Sequence, residues 1–208
     1  MKKLGIFGGT FDPVHWGHLL VAEGACSQFG LEQVIWVVNS RPHYKRSTPF
    51  QHRWEMVRQA IADRSEFAIA PDSDRFLNAT YASQTLQALQ AIHPHSHWYW
   101  ILGLDTFLTL PRWYHRQEIA PACEWLVAPR PLLESECPPI QVLCDRVARQ
   151  LATESIDIRW QIIDLPLVGI SASLVRQYCC DRRSIHDFVP EAVRIYIATH
   201  QLYVERSQ

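Results

Sequence analysis

Gly8-Gly9-Thr10-Phe11-Asp12-Pro13-Val14-His15-Trp16-Gly17-His18 stands directly after the short apolar run Leu4–Phe7. Such a run reads as a buried strand, and the segment from about His18 to Phe29 carries helical periodicity. A glycine-rich turn between a strand and a helix N-terminus lies on the carboxyl edge of a sheet, where α/β proteins bind ligands. Two glycines let the backbone approach a phosphate closely, and the helix offers free N–H groups and the positive end of its dipole. Thr10 adds a hydroxyl donor. The pattern is neither the G-x-G-x-x-G dinucleotide fingerprint nor the G-x-x-x-x-G-K-[ST] loop, so by itself it reads equally as an ordinary tight turn. His15 and His18 tip that balance. With Gly17 between them at the mouth of one turn, both imidazoles can reach a single anionic centre. Zinc would need a third ligand, which H-x-x-H lacks nearby, and imidazoles acting as hydrogen-bond donors suit an open phosphate cradle better.

Working outward, apolar runs at Leu4–Phe7, Val34–Val38, Phe67–Ala70, Trp98–Leu102, Trp125–Ala128 and Trp160–Leu165 read as strands. Helical patterns lie between and after them, at about His18–Phe29, Phe50–Arg64, Tyr81–Ile92, Glu134–Thr153, Ser171–Cys180 and Pro190–His200. This alternation predicts an α/β domain with a doubly wound, mostly parallel sheet, covered by helices on both faces because the runs are apolar throughout. The residues after Gly169 read as a small C-terminal helical subdomain, and Pro129–Pro139 as a surface connection.

At 208 residues, the chain is long enough to bury a core without disulfides or a structural metal. Its 20 Lys+Arg against 21 Asp+Glu argue against a protein that coats nucleic acid or an anionic membrane. The six cysteines contain no C-x-x-C pair, and the four apolar residues Leu4–Phe7 are too few for a secretory signal. A cytoplasmic protein with reduced thiols is expected. The alternating His93, His95 and His97 look like a metal tract, but a polar loop before the Trp98 strand is the plainer account.

The stretch from Gly8 to His18 resembles the signature of the H-x-G-H nucleotidyltransferase superfamily, and in detail that of the bacterial nicotinate mononucleotide adenylyltransferases. Three further motifs, in order along the chain, are similar to that family. They are Ile101-Leu102-Gly103-Leu104-Asp105 continuing to Leu110-Pro111-Arg112-Trp113-Tyr114, then Ile170-Ser171-Ala172-Ser173-Leu174-Val175-Arg176, then the tail from Val189-Pro190-Glu191 to Leu202-Tyr203. The resemblance covers essentially the whole chain. It implies a Rossmann-like nucleotidyltransferase fold in a single domain, 1–208, with 170–208 as its helical C-terminal part. It also implies transfer of the adenylyl group of ATP to nicotinate mononucleotide, with Mg²⁺ accompanying the ATP and no metal held by the protein alone. Neither nucleic acid nor membrane is an expected partner, and a homo-oligomer is left open.

By that resemblance His15, His18 and Arg176 are the catalytic set. Gly8, Gly9, Thr10, Phe11, Gly103, Asp105, Ile170, Ser171 and Ser173 would bind ATP, with Asp105 on ribose hydroxyls. Tyr81, Ala82, Trp113 and Lys45 would bind the mononucleotide, Trp113 by stacking on the pyridine ring. Lys45 and Arg46 both fit the place of the family lysine in the basic run Arg41–Arg46. Ala172 and Ser173 stand where the family carries serine and threonine, and Ala82 where it carries threonine, which removes side-chain contacts but leaves the helix termini. Bland readings stand beside these: a solvated face for Arg176, an N-cap for Ser171, a core or subunit-contact aromatic for Trp113. Other phosphorylated acceptors, nicotinamide mononucleotide among them, and a non-catalytic nucleotide-binding module are the alternatives.

Overall fold

The computed structural model describes residues 1–40, 47–71, 81–129, 138–166 and 168–204. Its strands are β1 (Lys3–Gly9), β2 (Gln33–Val38), β3 (Phe67–Ile69), β4 (His97–Gly103), β5 (Glu124–Ala128) and β6 (Arg159–Ile162). They form one parallel sheet in the order β3-β2-β1-β4-β5-β6, as the alternating pattern predicts. The helices are α1 (Trp16–Phe29), α2 (Phe50–Ala60), α3 (Ala82–Ile92), α4 (Leu104–Phe107), α5 (Arg116–Ala122), α6 (Ile140–Ala152), α7 (Ala172–Cys180) and α8 (Glu191–Thr199), with a 3₁₀ turn at Leu110–Arg112.

Successive side chains on a strand point to opposite faces, and here that alternation divides the apolar residues between two cores. Phe7, Val34, Trp36, Val38, Tyr99, Ile101, Leu126 and Ala128 face one side, where α1, α2, α7 and α8 add Leu19, Met56, Val175 and Val193. Leu4, Ile6, Ile35, Trp98, Trp100, Leu102, Trp125 and Val127 face the other, against Leu86 of α3, Ile119 of α5 and Val147 of α6. The residues after Gly169 thus close one face of the sheet, with Cys179, Ile185, Val189 and Ile197 in the same cluster as β1 and β2.

Differences from the expected elements have local causes. Helix α1 starts at Trp16, two residues before His18, because His15 is extended (φ −148°, ψ 169°) and caps it. Strand β6 stops at Ile162. Beyond it the Gln28 amide takes over the role of a neighbouring strand, donating to the Asp164 carbonyl at 2.8 Å and accepting the Asp164 N–H at 2.9 Å. The short helices α4 and α5 and the 3₁₀ turn between them carry too few residues for a legible period. Most of the Pro129–Pro139 connection lies outside the described residues.

The order of connection reverses between β1 and β4, which pair side by side from Lys3 opposite His97 to Phe7 opposite Ile101. An open parallel sheet has its crevice at this reversal, beyond the carboxyl ends of the strands. Gly8–His18 follows β1 and Asp105 follows β4, so the quoted motif and the Gly103–Asp105 segment meet at that crevice.

Candidate active site

The loop after β1 is a tight, largely buried turn. Phe11 takes a left-handed conformation (φ 49°) and the Asp12–Pro13 peptide is cis. Phe11 is 2% exposed and meets Phe7, Trp36 and His18 at ring distances of 5.5, 5.1 and 5.0 Å. Its side chain therefore belongs to the core, and what Phe11 offers a ligand is its backbone. The ring lies back over Gly9, where a Cβ would stand 2.7 Å from it. That close approach, not a positive φ, is why glycine is needed at this position.

His15 and His18 come together as the sequence predicts. Their rings stack with centroids 3.7 Å apart and planes at 27°. The His15 backbone N–H donates to His18 Nδ1 at 3.2 Å. A neutral imidazole that accepts at Nδ1 carries its proton on Nε2, so His18 presents a donor on its outer nitrogen. A Cβ on Gly17 would meet the His15 ring at 3.1 Å and the Ile170 carbonyl at 3.7 Å. The segment leading into α7 thus abuts the first turn of α1. The α1 terminus keeps fewer open amides than a bare helix end, since Trp16 N–H donates to the Phe188 carbonyl at 2.9 Å and His18 N–H to the His15 carbonyl at 2.9 Å. Gly17 N–H takes no acceptor from the described residues.

Arg176 reaches across from α7 and donates from Nη1 to the Asp12 carbonyl at 2.7 Å and from Nη2 to Ser173 Oγ at 3.2 Å. It is half-buried, not a solvated face residue. Ser171 is the N-cap of α7, its Oγ accepting Leu174 N–H at 3.1 Å, and its own hydroxyl proton stays available to a ligand. Asp105 lies exposed in the first turn of α4, two residues after the Gly103 cap.

The N-terminus of α3 and the segment after the 3₁₀ turn form an aromatic group. Tyr81 caps α3, is 40% exposed, and lies 4.5 Å from the ring of Tyr114, which is 59% exposed. Gln84 Oε1 takes the Tyr81 N–H at 3.2 Å. The amides of Ala82 and Ser83 take no acceptor from the described residues. Trp113 is half-buried, donating Nε1 to Thr109 Oγ1 at 2.9 Å and standing edge-on to Trp100 and Trp125 at 6.2 and 5.7 Å. It is packed against the core on one side while part of it stays open, so the packing reading holds and stacking on a ligand remains compatible with it. Lys45 and the rest of Arg41–Arg46 lie outside the described residues.

Sequence reasoning missed Arg53. This guanidinium is 1% exposed and donates to the carbonyls of Thr48, Thr10 and Asn39, each at 2.8 Å. The signal was present: Arg53, Met56, Val57 and Ala60 fall on one buried helical stripe, and a charge there needs partners. The three histidines of the supposed metal tract part company. His93 ends α3 against Trp98, His95 occupies a left-handed turn, and His97 bonds Glu124 at 2.8 Å at the amino edge of the sheet. Among the described residues no three His, Cys, Asp or Glu side chains gather to hold a metal ion. Burial pushes the thiols of Cys26 and Cys144 up to about 11 and that of Cys123 up to about 12, so none of them is a nucleophile at neutral pH. No helix among the described residues is long and apolar enough to cross a membrane.

Comparison with known proteins agrees with this geometry. The pattern of the cytidylyltransferase-like family matches residues 6–178. A protein of Trichormus variabilis named "Probable nicotinate-nucleotide adenylyltransferase" is 46% identical over 208 residues, all of both chains. One of the same name from Synechococcus sp. (strain JA-3-3Ab) is 38% identical, covering 98% of this chain and 96% of that one. The fold is shared with the Plasmodium falciparum nicotinic acid mononucleotide adenylyltransferase complexed with NaAD, at a TM-score of 0.76 and 18% identity over 98% of each chain.

Proposed function

The chain belongs to the cytidylyltransferase-like family, and from that premise we propose that it transfers the adenylyl group of ATP to nicotinate mononucleotide, releasing pyrophosphate. The observation that carries this reading is the stacked His15–His18 pair at the β1/β4 crevice, in a chain similar over its whole length to nicotinate-nucleotide adenylyltransferases. It works as one nucleotidyltransferase domain, 1–208, with 170–208 as its helical C-terminal part.

The acceptor's 5′-phosphate, largely ionised near neutral pH, attacks the α-phosphorus in line with the departing pyrophosphate. A new phosphate–oxygen bond forms as the α–β bridge breaks, and no base is required. The residues' task is positioning and charge stabilisation. His18 Nε2–H donates to the phosphates, His15 stacks behind it, and Gly8, Gly9, Thr10 and Phe11 give the close backbone approach. Arg176 and the α7 terminus, with Ile170, Ser171 and Ser173, approach the β- and γ-phosphates from the opposite wall. Gly103 and Asp105 take the ribose. Trp113 and Tyr81 flank the pyridine ring, with Ala82 N–H near its carboxylate. Free amides at the N-terminus of α3 favour that carboxylate over a neutral amide.

The donor set of this crevice is N–H groups and imidazoles rather than an oxygen cage. It suits Mg²⁺ carried in by the triphosphate, held by phosphate oxygens and water, where the ion would neutralise developing charge. The free thiols among the described residues and the nature of these substrates support a cytoplasmic location. Pyrophosphate release tests the reading, measured with ATP, Mg²⁺ and either pyridine mononucleotide or phosphopantetheine. Release is expected to be greatest with nicotinate mononucleotide. None with either pyridine mononucleotide overturns the assignment.

A further inference from the structure

The C-terminal turn reaches back into the loop after β1. Beyond α8 the chain passes through left-handed conformations at Gln201 (φ 49°) and Tyr203 (φ 63°). There the Tyr203 hydroxyl donates to Asp12 Oδ1 at 2.7 Å, across 191 positions of sequence. The other carboxylate oxygen, Oδ2, accepts Thr48 N–H at 3.2 Å. Asp12 is 6% exposed. A buried carboxylate beside a site for a triphosphate repels the ligand, so its presence calls for a compensating role.

That role is visible in what surrounds it. Arg53 grips the carbonyls on either side, Thr10 and Thr48, and Arg176 grips the Asp12 carbonyl itself. Burial works against the Arg53 charge, and the Asp12 carboxylate sustains it. Burial, and next the same carboxylate, push the Tyr203 phenol upward, so it remains an O–H donor throughout the working pH range. Helix α8 is seated on α2 next to Arg53, where His52 Nδ1 and the Tyr196 hydroxyl lie 2.9 Å apart. Arg53 and Tyr203 therefore brace the loop as one unit, from two elements that are distant in sequence and packed together.

We propose that Tyr203 is a positioning residue for adenylyl transfer, whose hydroxyl, acting through Asp12, fixes the Thr10–Val14 turn and with it the His15–His18 pair that meets the ATP phosphates. The inference rests on the adenylyl-transfer reading. Tyr203→Phe in the full chain keeps the ring and removes only the hydroxyl, which donates to Asp12 and also meets the Thr48 side chain. ATP affinity, titrated calorimetrically without acceptor, is expected to weaken about tenfold, equivalent to about 1.4 kcal/mol. The turnover number falls in parallel, and KM for the mononucleotide stays within about twofold, since Trp113 and Tyr81 are held by other contacts. Asp12→Ala, which leaves the phenol no acceptor at this position, should reproduce the loss, and the double variant should be no worse than Asp12→Ala alone. A merely structural tyrosine would lower the thermal midpoint and leave ATP affinity and the turnover number of the folded enzyme unchanged.

ATP affinity unchanged in Tyr203→Phe, or additive losses in the double variant, overturns the proposal. If Tyr203→Phe does not fold, an unaltered ATP affinity in Asp12→Ala overturns it instead. A wild-type chain that binds ATP but does not act on nicotinate mononucleotide sinks the acceptor assignment alone, and the same titrations still decide the role of Tyr203.

Discussion

After β1, residues Phe11 to His15 are all buried, and the turn is held by side chains from α2 and α7. After β4, Asp105, Thr106, Leu108, Arg112, Tyr114 and His115 are exposed, and the chain descends through two short helices and a 3₁₀ turn. The first region uses backbone shape. Glycine at position 9 admits the Phe11 ring, and two imidazoles stack on a helix cap. The second uses surface, with the exposed Tyr114 ring beside Tyr81 and the half-buried Trp113 standing edge-on to Trp100 and Trp125. The chemistry is matched to this difference. A phosphate undergoing displacement needs donors that do not reorganise, and a flat heteroaromatic ring needs a face to lie on.

Substitutions at three positions probe the contrast. The largest effect is expected from His18→Asn, which keeps an acceptor near the place of Nδ1 to cap α1 but has no atom at Nε2. Turnover should fall about 10²–10³-fold with the thermal midpoint nearly unchanged. Unaltered turnover would show His18 to be a cap and nothing more. Next comes Trp113→Ala, for which KM for the mononucleotide should rise about tenfold while ATP affinity holds. Trp113→Phe should recover most of that rise, because a ring face is retained. A loss of thermal stability with KM constant would make Trp113 a core residue alone. The smallest effect belongs to Ser171→Ala. Losing the cap to Leu174 N–H costs about 1 kcal/mol, or about 3 °C in the midpoint of a chain this size. ATP affinity that drops more than the midpoint predicts would identify the Ser171 hydroxyl as a ligand contact.

The contrast also separates what could be read in advance from what could not. The strand and helix order was legible because β1 to β5 are each built on a compact apolar run and the long helices carry buried residues, while β6 alternates Arg159, Trp160, Gln161 and Ile162. The Gly8–His18 cradle was legible because glycines and histidines act there within one turn of chain. The helices after β4 were not, since elements of four and seven residues show no period, and a proline inside α5 at Pro121 argues against a helix. Arg53 was hidden in plain view on the buried stripe of α2. Trp113 could not be divided in advance between packing and the proposed stacking, because a half-buried indole packs one edge on Trp100 and Trp125 and keeps part of its surface open.

The sequence by itself determined the parallel layering, the place of the crevice and the two imidazoles at its mouth, since these follow from periodicity and from contacts within a few residues. Only the tertiary structure decided what holds that mouth in shape. Asp12 meets Tyr203 across 191 positions and meets Arg176 across 164, and pairings of that separation leave no mark in local pattern. They exist because the sheet brings α2, α7 and the C-terminal turn to the same edge, where buried carbonyls and a buried carboxylate must each find a donor.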